Sequence, residues 1–402
     1  MTLTQSPSAQ SPALPAASSR WATQFSASGS STTRRKPLQV RTLGATAATS
    51  APGGGEIQLA ETAKALCERG VDARPWRDEF DRFREIDVLH VFGSLREHLP
   101  TVLQARCRGV AVAVSPIAWF DAASRWQEPG LWVQRAFRCG RYALASTTPW
   151  MPTWRKRLYR AANVLLPNSD AEQQQLAKRY NLPAAKFRVV PNAASLCFAN
   201  GDAELFSNTV GGPGYVLIPG RIEPRKNQLG VIRALKGTGL RLVILGDVVP
   251  GHEEYAAACR EAAGADVSFV SRLQHDDPLL ASAYAGCGCV ALLSWFETPG
   301  LVALEAGMSG IPLALTSRGS TREYFGGRAT YGNPADPLSI RAAVKAAMSR
   351  DRDDQLANHV RENFTWNKAA EATLAAYEHA LWQVAGGAST NNSNDAARVI
   401  AD

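Results

Sequence analysis

The sequence predicts an α/β protein with two Rossmann-like domains, each built on a parallel sheet. Three observations support this prediction. Short apolar runs typical of buried strands alternate with runs of helical spacing. The chain of 402 residues is longer than an ordinary domain with a single hydrophobic core. A glycine-rich stretch near 195–213 separates two such blocks. We therefore expect two sheets whose strand ends face a central cleft, because ligands of such sheets bind at the carboxyl ends of the strands.

The first block, residues 36–195, begins with an apolar run that predicts a strand at 37–43. Three glycines then precede a run of helical spacing at 57–66, which ends before Gly70. Four further apolar segments predict strands or strand ends, at 87–92, 110–114, 164–169 and 188–192.

The second block, residues 196–364, repeats this alternation. Apolar runs predict strands and helical spacing predicts the connections between them, so that each strand can return parallel to the last. The predicted strands are 215–220, 241–246, 267–269, 289–293, 311–315 and 329–331, and the predicted helices are 228–236, 253–264 and 278–286.

The composition narrows the class of protein. The chain contains 45% apolar and 20% charged residues, which is typical of a globular protein. It has no run of 18 apolar residues, the length that would predict a membrane-spanning helix. Seven scattered cysteines favour reduced thiols in a cytoplasmic protein over a disulfide framework. Segments 1–35 and 386–402 are poor in hydrophobic periodicity, and both are predicted to be disordered tails.

Segment 125–160 is basic and rich in tryptophan. Its cationic residues outnumber its one acid, Glu128, and they are interleaved with aromatic side chains. This pattern suits an anionic membrane surface or a phosphate-bearing acceptor. The alternatives are an ordinary solvated helix whose aromatic residues pack inward and, less favoured, a nucleic-acid surface. The residues concerned are Arg125, Trp126, Trp132, Arg135, Arg138, Arg141, Trp150, Trp154, Arg155, Lys156, Arg157 and Arg160.

Glu297 and Glu305 lie eight positions apart in the most informative stretch of the chain. A predicted strand at 289–293 precedes a turn containing Gly300, and a helix-forming run follows from Leu301. The start of a helix carries free N–H groups and a positive dipole end, and so attracts anions. A carboxylate on each side of such a site suits a ligand that has both phosphates and hydroxyls, such as a sugar nucleotide. The alternative is two unrelated carboxylates on a helix surface.

This run resembles the E-x7-E motif of retaining glycosyltransferases with the GT-B fold, in particular those of family 4. Residues 220–228 resemble the G-R-x4-K-N segment of the same family, and residues 364–370 resemble its closing aromatic motif. The resemblance is good over 160–382 and weaker over 37–120. It implies the GT-B fold, a C-terminal donor domain at 196–364, an N-terminal acceptor domain at 36–195, and a helix at 365–385 that packs back on the N-terminal domain.

The resemblance also implies roles for individual residues. Arg221 and Lys226 would contact the donor diphosphate, where preorganised cations stabilise the charge that grows on the leaving group. Glu297 would lie near the hydroxyls of the transferred sugar, and Glu305 would bind the ribose. Pro299 departs from the family pattern in this turn and stiffens it. Further donor contacts are expected at Gly220, Gly246, Asp247, Thr298, Gly300 and Leu301.

In the N-terminal half, Gly54 and Gly55 resemble the family's glycine-rich loop, where a small residue lets the backbone approach a ligand; a merely flexible loop is the alternative. His90 and Ser115 are expected to line the cleft, although a buried, hydrogen-bonded histidine would give the same pattern. Many family members carry a histidine after the strand that ends here at Val114. This chain has Ser115 and Pro116 instead, which favours a modified sugar site or a weaker enzyme.

We therefore expect a retaining hexosyltransferase that uses a nucleotide sugar and a saccharide or lipid-linked acceptor, in surface polysaccharide or glycolipid assembly. No metal, cofactor or nucleic acid is implied. The expected location is the cytoplasm, with peripheral attachment to the inner membrane face as a second option, and the oligomeric state is open. The alternative function is an inactive sugar-nucleotide-binding subunit. A sugar-nucleotide epimerase of the same fold would need an acidic pair together with a histidine in the N-terminal cleft, and the sequence does not show this combination.

Overall fold

The computed structural model describes residues 36–44, 53–121, 132–134, 136–137, 139–140, 153–298 and 300–387. Two parallel sheets dominate this part of the chain, and α-helices connect most of the consecutive strands. The strands are β1 Gln39–Leu43, β2 Asp72–Pro75, β3 Val88–Phe92, β4 Ala111–Ser115, β5 Val164–Leu165, β6 Val216–Pro219, β7 Leu242–Leu245, β8 Val267–Val270, β9 Cys289–Leu292, β10 Leu313–Thr316 and β11 Thr330–Gly332.

The helices begin and end close to the predicted positions where a prediction was made. They are α1 Gly54–Glu68, α2 His98–Cys107, α3 Trp154–Ala161, α4 Asp170–Tyr180, α5 Ala203–Ser207, α6 Gln228–Leu235, α7 Glu253–Ala262, α8 Pro278–Gly286, α9 Leu301–Met308, α10 Thr321–Phe325, α11 Pro337–Met348, α12 Asp354–Asn363 and α13 Trp366–Gly387.

The first sheet has the strand order β2-β1-β3-β4-β5, and all its pairs are parallel. Strands β3 and β4 are buried along their whole length, as expected for strands covered by helices on both faces. The order of the strands reverses between β1 and β3. In open sheets of this kind, the crevice at the carboxyl ends of the two strands at the reversal receives the ligand.

The second sheet has the order β11-β10-β9-β6-β7-β8, again fully parallel. This is the six-stranded Rossmann order, and it reverses between β6 and β9. The carboxyl ends of these two strands lead directly into residues 220–227 and 293–300, which contain the sequence motifs. The expected α/β class with two Rossmann-like domains is therefore confirmed.

The chain crosses between the two domains twice, and the two crossings run side by side. The amide of Ala194 donates to the carbonyl of Phe364 at 3.0 Å, and Ala194 pairs with Thr365 in a parallel bridge. After the second crossing, α13 buries Ala370 and Tyr377 in the core of the first domain, beside residues of β1, β3 and β4. The first domain therefore contains the end of the described chain as well as its beginning.

Two details differ from the sequence predictions. Residues 188–192 do not form a strand, although Arg188 and Val190 donate to the carbonyls of Leu165 and Pro167 and extend the edge of the sheet. Strand β2 was not predicted, because Asp-Ala-Arg-Pro carries no apolar alternation. Within the described ranges, no helix is both long and apolar enough to cross a bilayer.

Candidate functional site

The loops after β6 and β9 lie against each other at the reversal of the second sheet. The side-chain amide of Asn227 donates to the carbonyl of Leu293 at 3.1 Å, and the amide of Trp295 donates to the carbonyl of Arg225 at 2.9 Å. The side-chain amide of Gln228 also donates to the carbonyl of Arg221 at 2.9 Å. The first two contacts bring the glycine–arginine segment and the loop that leads into the acidic motif together, and the third fixes the shape of the glycine–arginine segment.

A buried ion pair joins the two motifs. Lys226 Nζ lies 2.7 Å from Glu297 Oε1, and the side chains are 13% and 5% exposed. A guanidinium nitrogen of Arg225 lies 3.7 Å from the same carboxylate oxygen. Glu223 contacts Arg225 at 2.8 Å and Arg221 at 3.8 Å. Three cationic and two anionic side chains therefore meet here, which leaves a net positive site.

The pKa values of the two glutamates of the motif are shifted in opposite directions. Burial raises the pKa of Glu297, but Lys226 and Arg225 outweigh burial and the net pKa is lowered, so Glu297 is ionised. Burial also raises the pKa of Glu305, and here the contributions of His275 and Tyr284 do not compensate. Glu305 therefore holds its charge less firmly than Glu297.

The N-termini of α1 and α9 face each other beside these cations. Helix α9 begins after Gly300, and no side chain of the described residues caps its N-terminus. A Cβ placed on Gly54, the first residue of α1, would lie 3.6 Å from Cδ1 of Leu301. A Cβ on Gly53 would lie 2.9 Å from a guanidinium nitrogen of Arg221. Two positive helix ends and Arg221 thus converge across the domain boundary.

Gly246 and Asp247 follow β7 on one flank of this site. Gly246 has φ +152°, and a Cβ there would lie 2.2 Å from the carbonyl oxygen of Gly220, so only glycine lets the two loops approach. Asp247 is exposed, and its carboxylate accepts from the amide of Arg272 at 3.0 Å. The predicted donor residues Gly220, Gly246 and Asp247 therefore lie together.

Glu305 is buried in α9, with 3% of its surface exposed. Its Oε2 accepts a hydrogen bond from the hydroxyl of Tyr284 at 2.5 Å. Its Oε1 lies 3.6 Å from Nδ1 of His275, whose buried Nε2 has no hydrogen-bond partner among the described residues. The carboxylate is thus already bound within the protein, and its role towards a ribose stays a prediction.

His90 and Ser115 are placed differently from the expectation that they line the cleft. His90 is 1% exposed, and its ring nitrogens contact the hydroxyl of Tyr377 at 2.7 Å and Oγ of Ser115 at 2.9 Å. Burial lowers the pKa of His90 to about 3, so the ring is neutral. The expectation is wrong for both side chains because they satisfy each other inside the first domain. The alternative of a buried, hydrogen-bonded histidine is the one observed.

Two residues near the site were not identified from the sequence. The Glu56 carboxylate accepts from the amide of Gly53 at 2.8 Å, which is the glutamate half of a capping box at the start of α1. The Gly53-x-x-Glu56 spacing could have signalled this contact. Ile117 has φ +46°, which is strained for a β-branched residue, and its Cδ1 would lie 3.5 Å from a Cβ on Gly55. It adds an apolar surface to the cleft where the family histidine was expected.

The remaining predicted features are partly outside the described residues. Thr298 is half-buried in the turn, while Pro299 beside it lies outside the description. Most of the basic, tryptophan-rich segment also lies outside it. Of its described residues, Trp132 and Phe137 are 72% and 66% exposed. Contact of this segment with a membrane or an anionic acceptor stays a prediction.

Comparison with protein families and known sequences gives independent information on the class of protein that this chain is similar to. Residues 203–364 match the family of glycosyl transferases group 1. A D-inositol 3-phosphate glycosyltransferase of Actinosynnema mirum is 28% identical over 389 residues, covering 82% of this chain and 92% of the relative. The enzyme of the same description from Mycobacterium avium is 30% identical over 242 residues, 55% of each chain.

Solved structures share the fold at lower identity. A glycosyltransferase of Rickettsia africae has a TM-score of 0.63 and 13% identity, covering 86% of this chain and 99% of its own. Anabaena HepE, solved with UDP and glucose, has a TM-score of 0.57 and 16% identity, covering 88% of this chain and all (100%) of its own. The chain therefore has the GT-B fold, and together with the group 1 match over residues 203–364 the comparisons support a glycosyltransferase of the GT-B superfamily.

Proposed function

We propose that this protein is a retaining, metal-independent hexosyltransferase of family 4 type. It transfers a hexose from a nucleotide sugar to a saccharide, a phosphorylated cyclitol or a lipid-linked acceptor. The observation that supports this most directly is the convergence of Arg221, Lys226 and two helix N-termini at the reversal of the second sheet. The neighbour solved with UDP and glucose makes a uridine nucleotide sugar the first donor to test.

The net positive charge of the site favours a diphosphate. Three cationic side chains, the carboxylates of Glu223, Glu297 and Glu56, and two helix ends, each equivalent to about half a charge, leave roughly one positive charge. A nucleoside diphosphate carries a larger negative charge, so the site attracts it without neutralising it completely. Arg221 is 38% exposed and can offer two parallel N–H groups, whereas Lys226 acts as a point charge held by Glu297. We infer that these cations replace a divalent metal ion.

The proposed chemistry follows from where charge develops. As the sugar–phosphate bond breaks, negative charge grows on the leaving phosphate oxygen, and Lys226 and Arg221 stabilise the transition state more than the bound donor. The acceptor hydroxyl attacks from the same face, and the leaving phosphate oxygen takes its proton. Ionised Glu297 orients Lys226 and accepts hydrogen bonds from the sugar hydroxyls. Glu305, Gly246 and Asp247 are proposed to bind the nucleoside.

The acceptor is proposed from the relatives and from the N-terminal domain. Two of the similar sequences are D-inositol 3-phosphate glycosyltransferases, so a phosphorylated cyclitol joins the saccharide and lipid-linked acceptors predicted from the sequence. The basic residues Arg155 and Arg157 of α3 belong to the segment proposed to hold such an acceptor or an anionic membrane face.

A second candidate function is an inactive sugar-nucleotide-binding subunit. It is favoured by the end of β4, where Ser115 is occupied by His90 and the strained Ile117 stands in place of the family histidine. This subunit would bind a donor through the same cations without transferring the sugar.

The test is a donor screen with the purified protein. UDP-, GDP- and ADP-sugars are incubated with D-inositol 3-phosphate or a polyprenyl-phosphate saccharide, and released nucleoside diphosphate is measured with and without EDTA. The expected result is release from one donor that EDTA does not reduce. Glu297→Ala should lower it about 100-fold or more, whereas Glu362→Ala, an exposed glutamate of α12, should not. Anomeric couplings in the product spectrum test retention.

The other outcomes separate the candidates. Donor binding without release, with every acceptor present, would favour the inactive subunit. Release that EDTA abolishes would contradict metal independence. The absence of binding to any donor would refute both functions.

A further inference from the structure

The loop and helix after β10, residues 317–325, hold the backbone of Glu297. The amide of Glu297 donates to the carbonyl of Arg318 at 3.3 Å, and its carbonyl accepts from the amide of Ser320 at 2.9 Å. Gly319 pairs with Glu297 in a parallel bridge at φ +98°, and a Cβ there would lie 1.9 Å from the carbonyl oxygen of Glu297. Only glycine permits this approach. We name residues 317–325 the strap.

The other end of the strap contacts the first domain. The two carboxylate oxygens of Glu323 accept from the amides of Asp170 and Ala171, at 2.7 Å and 3.1 Å. These amides are in the first turn of α4, where a helix has unsatisfied N–H groups and a positive dipole end. A carboxylate of the second domain therefore caps a helix of the first domain, and hydrogen bonds of this kind to a charged group are among the stronger ones.

Tyr324 makes a second connection beside it. Its hydroxyl accepts from the amide of Asn192 at 2.8 Å and donates to the carbonyl of Asn168. The tyrosine is 2% exposed, and its ring stacks on Phe364 with a centroid separation of 4.7 Å. Asn192 and Phe364 lie at the two chain crossings between the domains. The strap therefore contacts both connections at the pivot about which the domains would turn.

The connection continues to the helix that opens onto the site. The side chain of Asn168 accepts from the side-chain amide of Gln58 at 2.9 Å, and Gln58 lies one turn into α1. The N-terminus of α1 faces Leu301 and Arg221. Hydrogen bonds thus connect α1 to Asn168 and Asn168 to Tyr324. The chain of the strap continues this connection from Tyr324 to Ser320, which binds the backbone of Glu297.

We propose that the strap transmits the relative position of the two domains to Glu297, with Glu323 and Tyr324 as positioning residues of the transfer site. The inference rests on the proposed function for its catalytic consequence. Neither side chain touches the donor site. Both act through the strap, because one short segment binds the backbone of Glu297 at one end and contacts α4 and the pivot at the other. A shift at one end of the strap therefore displaces the other end.

Hydrogen–deuterium exchange on the ligand-free protein tests the strap without any donor. Glu323→Gln places an amide group against a backbone N–H, and Tyr324→Phe removes two hydrogen bonds while it keeps the ring. Each should raise exchange in peptides covering 296–298 and 318–320 by about tenfold, with little change elsewhere in the second domain. Glu362→Gln, which alters an exposed glutamate of the same domain, should leave these peptides unchanged.

Kinetics and binding test the positioning role. Both variants should lower kcat about tenfold while the dissociation constant of the nucleoside diphosphate stays within about twofold, because the phosphate contacts remain. Glu323→Asp should recover part of the rate. Unchanged exchange at 296–298, a uniform rise over the whole domain, or an unchanged kcat would each overturn the proposal. A wild-type protein that releases no diphosphate would refute the proposed function alone, since the exchange result is read separately.

Discussion

Replacing Lys226 with methionine would isolate the energetic role of the ion pair between Lys226 and Glu297 at the proposed donor site. The two charges are 2.7 Å apart and almost completely buried, so that methionine removes the ammonium and keeps most of the side-chain volume. Removing one partner of a buried pair costs about 3–5 kcal/mol, because the other charge stays unpaired. Arg225 remains 3.7 Å from Glu297 and still offsets part of its charge, so the expected loss of unfolding free energy is about 3 kcal/mol.

The loss should depend on pH in a defined direction. In the wild-type protein the pKa of Glu297 is lowered below the ordinary value of 4.5, so its ionisation contributes stability above that value and the contribution is lost as pH falls through the folded-state pKa. In Lys226→Met, burial dominates and the pKa of Glu297 rises above the ordinary value. Glu297 can then take up a proton, and the deficit should shrink as the pH is lowered from 8 towards 5.

The assay is thermal and urea unfolding at pH 8, 6.5 and 5, followed in the transition of the second domain. The expected deficit near pH 8 corresponds to about 6–12 °C in Tm. The double variant Lys226→Met/Glu297→Gln should recover much of it, because no unpaired charge remains. A deficit below about 1 kcal/mol that does not change with pH would refute the reasoning, as would a double variant as unstable as the single one.

Two further predictions concern the flanks of the site. Gly246→Ala would place a methyl group against the carbonyl oxygen of Gly220, so we expect a loss of about 2–4 kcal/mol in unfolding experiments. Gly237→Ala, which has a positive φ but no neighbour within 4 Å, should cost only about 1 kcal/mol. Tyr284→Phe removes the hydroxyl that donates to Glu305; it should destabilise the protein by about 1–3 kcal/mol and raise the pKa of Glu305 further. Carboxyl titration by NMR checks the pKa, and an unchanged or lowered value would contradict the assignment.

Much of the architecture could be predicted from the sequence because parallel strands buried on both faces are continuous apolar runs. The apolar runs predict strands β6 and β9, and they also predict that the two sequence motifs lie at the carboxyl ends of these strands. Strand β2 lacks this pattern because it lies at the edge of the sheet and half of its four residues are exposed. Residues 189–191 are apolar and extend along a sheet edge, and composition alone does not distinguish such a segment from a strand.

The site was less predictable where a contact depends on distant segments. His90 has partners 25 and 287 residues away, so no local pattern could show that its ring is satisfied in the core. The contact of Glu323 with α4 likewise spans 153 residues. The two motifs do not by themselves predict that Lys226 pairs with Glu297. The contact follows from the packing of the loops after β6 and β9 against each other.

The position of α13 has a consequence for how the chain is made. The first domain is synthesised first, yet Ala370 and Tyr377 of its core belong to the last described helix. While the second domain is being translated, the surface that α13 will cover is still exposed to water and to chaperones. The N-terminal domain can complete its core only after α13 has left the ribosome, and α13 is translated after the second domain. A chain released before residue 366 would therefore yield a complete second domain attached to an incomplete first domain. Chaperones and proteases would treat this chain as an unfolded protein.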